Sequence, residues 1–201
     1  MVCFCDIPLS QIGDHIDLYG KYGIGLSKVW AIRSRLNPVL YLEKSSIHWR
    51  KYESVNEHNY EDIIGIYKQG FQIDTLIQDR DSLLYMFMYT KPYEGFHYRN
   101  GEQTHKRFYD EREWRHIPDL NTLDKDELFL VPNKLSDDLI KKKNLMLRDH
   151  SLIFDLPDIQ YLIIEQERER QEMLTMLSKL GKYSEEETRT LSSRIISAEQ
   201  I

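Results

Sequence analysis

The chain has 201 residues, 41% of them hydrophobic, which is enough for a packed core and excludes wholesale disorder. Its formal charge of −6 argues against nucleic-acid binding through bulk charge, while leaving room for a local basic patch. No segment approaches a transmembrane span and no signal-peptide pattern opens the chain, so the expectation is a cytoplasmic protein with no membrane partner.

Val2–Ile7 reads as a buried strand running into Pro8. It carries both cysteines, Cys3 and Cys5, which face one side of a strand. That is a poor disulfide geometry, and two thiols make an incomplete zinc site, so a reduced, buried pair is expected. Ser10 is placed to cap a short helix through about Tyr19. A dense glycine–aromatic segment follows, Tyr19-Gly20-Lys21-Tyr22-Gly23-Ile24-Gly25-Leu26, of which Gly23–Leu26 looks like a strand or the turn into one. Ser27 then caps a helix over Lys28–Ser34, ended by Asn37-Pro38, and Val39–Leu42 is a strand. Asp62–Gln78 has a helical pattern weakened by Gly65 and Gly70. Ser82–Thr90 is apolar and aromatic throughout and fits either a buried strand or a helix end.

Lys91–Lys106 is polar and reads as an exposed loop. Tyr109–Ile117 and Leu128–Val131 are strand candidates, and Asp137–Leu147 resembles a short exposed helix. Ser151–Leu156 and Ile159–Ile164 are the last strand-like runs. Composition changes after Glu165. Gln166–Leu180 is rich in helix formers, with Met173, Met176, Leu177 and Leu180 on one face, and Gly181 ends it. Ser184 and Glu187 form a capping box for a final helix over Glu185–Glu199. Short strands followed by helices give an α+β core domain over residues 1–165, with a C-terminal helical extension of the same domain over 166–201.

Two segments have residue types suited to chemistry. Within Phe108-Tyr109-Asp110-Glu111-Arg112-Glu113-Trp114-Arg115, a strand would put Glu111, Glu113 and Arg115 on one face and Arg112 and Trp114 on the other. Carboxylates so placed repel unless a substrate or cation sits between them, and repulsion raises at least one pKa. Such a pair can hold a sugar hydroxyl and stabilise a cationic transition state. The alternative is a solvated face neutralised by Arg115. The glycine segment has G-x-x-G-x-G spacing, which is neither the dinucleotide fingerprint nor a Walker loop. It offers close backbone approach with Tyr19 and Tyr22 for stacking, or simply a tight turn and a packed strand. His15 shares a helical face with Tyr19 and is placed either to orient a ligand or to cap the local turn. The other histidines lack ligand spacing, so no metal is expected, and no nucleophile elbow supports a hydrolase triad. The Lys/Arg/Tyr-rich stretch 91–115 is a third candidate, for RNA or DNA, against which the acidic total counts.

Together CFCDIPLS, H-x-x-x-YGKYGIGLS-x-x-W, NPVLY, FYDEREWR and the closing DIQYLII with its helical tail make the sequence similar to the AbiGi family over nearly its whole length. The first and fourth motifs are the specific ones. The resemblance implies an abortive phage-infection protein, the antitoxin of a two-gene system, with a cognate toxin as partner. The acidic charge and the Met/Leu-faced tail suit a protein partner docked helix-in-groove, unless the tail packs back on its own domain. More distantly, the order of motifs resembles bacterial domains laid out like the ADP-ribosyltransferase fold, with a small mixed or antiparallel sheet. That likeness implies NAD as cofactor, Glu113 as the late glutamate and Glu111 as its partner in E-x-E, activating the acceptor. His15, Tyr19, Tyr22 and Arg115 would line an NAD-like cleft. It also implies a strand and helix ahead of the VCFC strand, so an N-terminally truncated chain with one cleft wall missing is expected. Two functions follow, antitoxin action through protein contact and, alternatively, NAD-dependent ADP-ribosyl transfer.

Overall fold

The computed structural model describes residues 1–54, 82, 84–99, 101–119 and 136–201. In chain order the elements are β1 (Val2–Cys5), α1 (Gly13–Tyr19), β2 (Gly23–Leu26), α2 (Lys28–Arg33), β3 (Asn37–Pro38), β4 (Leu40–Leu42), β5 (Thr90–Pro92), β6 (Glu94–Arg99), β7 (Glu102–Arg107), β8 (Glu113–His116), α3 (Asp137–Met146), β9 (Ile159–Ile164), α4 (Arg170–Lys179), α5 (Glu185–Ser192) and β10 (Ile195–Ser197). This is mixed α and β structure with small sheets, in line with the α+β expectation. The segments expected at Asp62–Gln78 and Leu128–Val131 lie outside the described residues. The chain forms two compact units, one of Met1–Asp6 with Asn37–Leu130 and one of Ile7–Leu36 with Val131–Ile201.

In the first unit β8 is the middle strand of a three-stranded sheet, antiparallel to both β1 and β3. Cys3 lies opposite Arg115, and Cys5 opposite Glu113. The expected strand over Tyr109–Ile117 is broken. Phe108–Glu111 winds into a 3-10 turn, Arg112 takes a left-handed conformation with φ 44°, and only then does the chain extend into β8. Along β8, Glu113 and Arg115 point inward and Trp114 and His116 are half-buried. The β1 strand is shorter and more open than expected, with Val2 and Cys3 exposed and neither cysteine in a disulfide. Residues 84–88 are helical and only Thr90 begins a strand, which resolves the ambiguity of Ser82–Thr90 towards the helix end. Leu84 and Ile117 form a small core with Tyr85, Met88 and Tyr89.

Lys91–Lys106 is not a loop. β6 and β7 form an antiparallel hairpin whose last pair is Arg99 with Glu102, and Gly101 sits at φ +83°.

In the second unit β9 is the middle strand, parallel to β10 and antiparallel to β2. Ile159, Leu162 and Ile164 of β9 build the core with Leu177, Leu191 and Ile195. The glycine segment is explained by local sterics. Gly20 sits at φ 115° and ψ 162°, a region that only glycine populates readily. Gly25 lies under Tyr161, where an added Cβ would come within 3.0 Å of the ring. Ser27 caps α2 by accepting from the Trp30 backbone N–H at 3.1 Å, as its position predicted. No side-chain cap starts α1, so the role expected of Ser10 is not fulfilled.

The tail differs from a simple helical extension. Met173, Leu174 and Leu177 face the core, whereas Met176 and Leu180 are exposed. Ser184 and Glu187 form the expected capping box, but α5 stops at Ser192. Ile195 and Ile196 then extend as β10, because β-branched residues beside β9 complete the sheet better than they continue a helix. Ser151–Leu156 forms no strand.

Candidate functional site

The residues of the FYDEREWR segment converge in a buried ionic network in the first unit. The left-handed turn at Arg112 brings Glu111 and Glu113 to one point in space although they do not share a continuous strand face. Between them lies a cation, the ammonium of Lys91 on β5, 2.6 Å from Glu111 Oε2 and 2.9 Å from Glu113 Oε2. Lys106 of β7 donates to the other Glu111 oxygen at 2.7 Å. Arg115 Nε donates to Glu113 Oε1 at 2.6 Å, and a further guanidinium nitrogen donates to the Met88 carbonyl. The Tyr41 hydroxyl accepts from the Glu113 backbone N–H at 2.8 Å. Two carboxylates and three cations are thus mutually satisfied within a patch where Glu111 is 6% and Glu113 7% exposed.

The repulsion expected from sequence in the absence of an intervening cation does not arise, because Lys91 lies between the carboxylates and Arg115 neutralises Glu113. Burial pushes the Glu113 carboxyl up, but hydrogen bonds from Arg115, Cys3 and Lys91 outweigh it and hold the group at about 2. Burial works against the Lys91 ammonium too, yet its bonds to Glu111 and Glu113 raise its pKa above the usual lysine value. Burial and the bond to Glu113 push the Cys3 thiol up to about 11, so it stays protonated and is a poor nucleophile near neutral pH. The signal missed in the sequence is Lys91. It stands on a strand remote in sequence and has no motif of its own.

His15, Tyr19 and Tyr22 belong to the second unit. The His15 and Tyr19 ring centroids are 4.4 Å apart, one helical turn along α1. Tyr22 donates its hydroxyl to Glu169 at 3.1 Å, which raises its pKa, and neighbouring Lys21 bridges to Glu165 at 3.1 Å. The polar side chains of the glycine segment therefore clasp the chain that leads into α4. A cavity of about 240 Å³ opens beside them, with Asp17, Lys21, Glu165 and Glu199 in its walls. His15, Tyr19 and Tyr22 are not among the residues lining it. Among the described residues no group of three or more His, Cys, Asp or Glu side chains is placed to hold a metal ion, and no helix is long and apolar enough to cross a membrane.

A family model described as "Putative abortive phage resistance protein AbiGi, antitoxin" matches residues 1–165. The chain belongs to the AbiGi family. The AbiGi match takes in both glutamates of the network, Lys91, and the glycine segment, and it ends just after β9. An abortive phage resistance protein AbiGi from Lactococcus lactis subsp. cremoris is 28% identical over 202 residues, spanning 90% of this chain and 78% of that relative. No solved structure matches the chain, so the layout expected to resemble an ADP-ribosyltransferase has no structural neighbour behind it.

Proposed function

We propose that this AbiGi chain is an antitoxin that neutralises a cognate toxin by direct protein contact. The observation that carries the reading is the family match over residues 1–165, whose description names an antitoxin. The acidic net charge of −6 suits a cationic partner surface.

The surface that best supports such contact is α2. Its inner side is fixed by the Ser27 cap, by the Trp30 indole N–H donating to the Ile153 carbonyl at 2.9 Å, and by Arg33, which donates to both oxygens of Asp158 at 2.9 Å. Its outer side presents Val29 and Ile32, one turn apart, 72% and 66% exposed. A rigid element bearing exposed β-branched side chains loses little entropy on docking. The tail offers less, because much of its apolar face is spent on its own core.

The transferase reading requires a Glu113 carboxylate that can take a ribose hydroxyl. Here that carboxylate is buried and bonded to Arg115 and Lys91, so the geometry lends the reading no support. The test is affinity for the co-encoded partner protein, measured by calorimetry. The double variant Val29→Asp/Ile32→Asp is expected to weaken binding by roughly 30-fold or more, a loss of ~2 kcal/mol or more. Its thermal stability should change little, because both side chains are exposed. Unchanged affinity would remove α2 from the interface.

A further inference from the structure

The three-stranded sheet of the second unit protects one of its edges and leaves the other open. On β10, Arg170 Nη1 donates to the Ile195 carbonyl at 3.0 Å, and Gln200 Oε1 accepts from the Ser197 backbone N–H at 3.1 Å, so side chains cover that edge. The opposite edge is β2, with the sequence Gly-Ile-Gly-Leu. The direction of its backbone groups follows from β9. Leu162 turns its N–H towards the β10 side and donates to the Arg194 carbonyl at 2.9 Å, so it does not bond across to Ile24, its partner in register. Gly23–Ile163 and Gly25–Tyr161 are therefore the hydrogen-bonded pairs, and the N–H and C=O of Ile24 point away from β9, out of the sheet edge. Among the described residues neither group has a partner, and the Ile24 side chain is 51% exposed. Gly23 and Gly25 put no side chain in the way of an approaching chain.

We infer that an extended, basic segment of the partner protein pairs with β2 as an added strand of this sheet and sends a Lys or Arg side chain into the neighbouring cavity. The inference rests on the antitoxin reading and names what the partner must offer. Main-chain pairing at an open edge is indifferent to sequence, so a pocket beside it supplies the selection. The cavity lies beyond the Gly23 end of β2. Lys21, two residues before β2, is in its wall, and Glu165 and Gln166 enter it directly after β9. An added strand sits roughly 5 Å outside β2, so only a long side chain spans to the cavity. The charge there selects a cation. Lys21 is bonded to Glu165 at 3.1 Å, which leaves Asp17 and Glu199 as a surplus of negative charge in the wall. A second copy of this chain is a poorer occupant, because it would bring the same acidic cavity and a net charge of −6 to the edge. Only Ser27 separates β2 from α2, so a partner that contacts Val29 and Ile32 has this edge within reach.

The experiment is amide hydrogen exchange of the full chain, alone and with the co-encoded partner protein, resolved at Ile24. The Ile24 N–H is expected to exchange roughly ten-fold or more slowly in the complex. Calorimetry on variants supplies a second readout. Ile24→Pro removes the outward N–H at an edge position that tolerates proline, and should weaken binding roughly ten-fold. Ile24→Val should retain it. Asp17→Asn/Glu199→Gln should weaken binding several-fold and flatten its salt dependence. Unchanged melting temperatures of the free variants would show that the fold is intact, and the exchange measurement on the wild-type chain decides if Ile24→Pro does not fold. The inference is overturned by a complex in which the Ile24 amide exchanges as fast as in the free chain. Indifference of the affinity to folded Ile24→Pro, or to the two carboxylate substitutions, overturns it as well. So does self-association in analytical ultracentrifugation that Ile24→Pro abolishes, which would give the edge to a second copy. A wild-type chain that binds no partner removes the antitoxin reading and this inference together, whereas tight binding without protection at Ile24 leaves the antitoxin reading standing.

Discussion

Glu113→Gln is expected to destabilise the protein by about 3 kcal/mol, the lower end of the range for removing one member of a buried ion pair. The amide keeps the shape of the side chain but leaves the Arg115 guanidinium without its counter-charge. Lys91 retains Glu111 at 2.6 Å, which is why the loss falls at the lower end. For a chain of this size the melting temperature should fall by about 6–12 °C at neutral pH. The pH dependence gives a second, independent signature. The folded carboxyl titrates at about 2 instead of its ordinary 4.5, so as pH falls the unfolded chain takes up the proton first. The stability this group contributes is complete above pH 4.5 and is lost progressively as pH falls towards 2. Denaturant melts of wild type and Glu113→Gln should therefore converge as the pH is lowered through this window. A pH-independent difference between the two would mean that the carboxylate is not held ionised by its neighbours.

Trp30→Ala is expected to cost about 3–5 kcal/mol, the range for deleting a large buried aromatic side chain. Trp30 is 1% exposed, packs edge-on against Phe154 at 6.3 Å, and satisfies the Ile153 carbonyl through its indole N–H. Alanine removes the ring volume and orphans that carbonyl together. Trp30→Phe separates the two effects, because it keeps most of the ring and loses only the donor, so a cost of about 1–2 kcal/mol is expected. Urea unfolding midpoints of the three proteins give the comparison. If Trp30→Phe were as damaging as Trp30→Ala, the hydrogen bond to Ile153 would dominate over packing.

What was legible in the sequence was local. Ser27 and the Ser184–Glu187 pair could be recognised as caps because a cap is made within three residues of itself. The strand of β9 was legible from its run of isoleucine and leucine around Tyr161. The β6–β7 hairpin was not. β7 is polar on both faces and β6 alternates only through Phe96 and Tyr98, too short a pattern to mark a strand. The break at Arg112 was hidden for another reason. Nothing in FYDEREWR forbids a continuous strand, and the left-handed turn allows Glu111 and Glu113 both to reach Lys91. The pairing that unites the network, residue 3 with residue 115, is a long-range contact that no local pattern encodes. The sequence thus pointed to the two glutamates and to the need for a cation between them, while the cation itself came from β5.

The most direct test of the antitoxin account is the growth of cells expressing the co-encoded partner, with and without this chain. The account predicts that the wild-type chain restores growth and that Val29→Asp/Ile32→Asp does not. It also predicts that Glu113→Gln still protects at a reduced temperature where that variant is folded, because Glu113 serves the fold. Growth arrest that the wild-type chain fails to relieve, or protection lost by the folded Glu113→Gln variant, would contradict it.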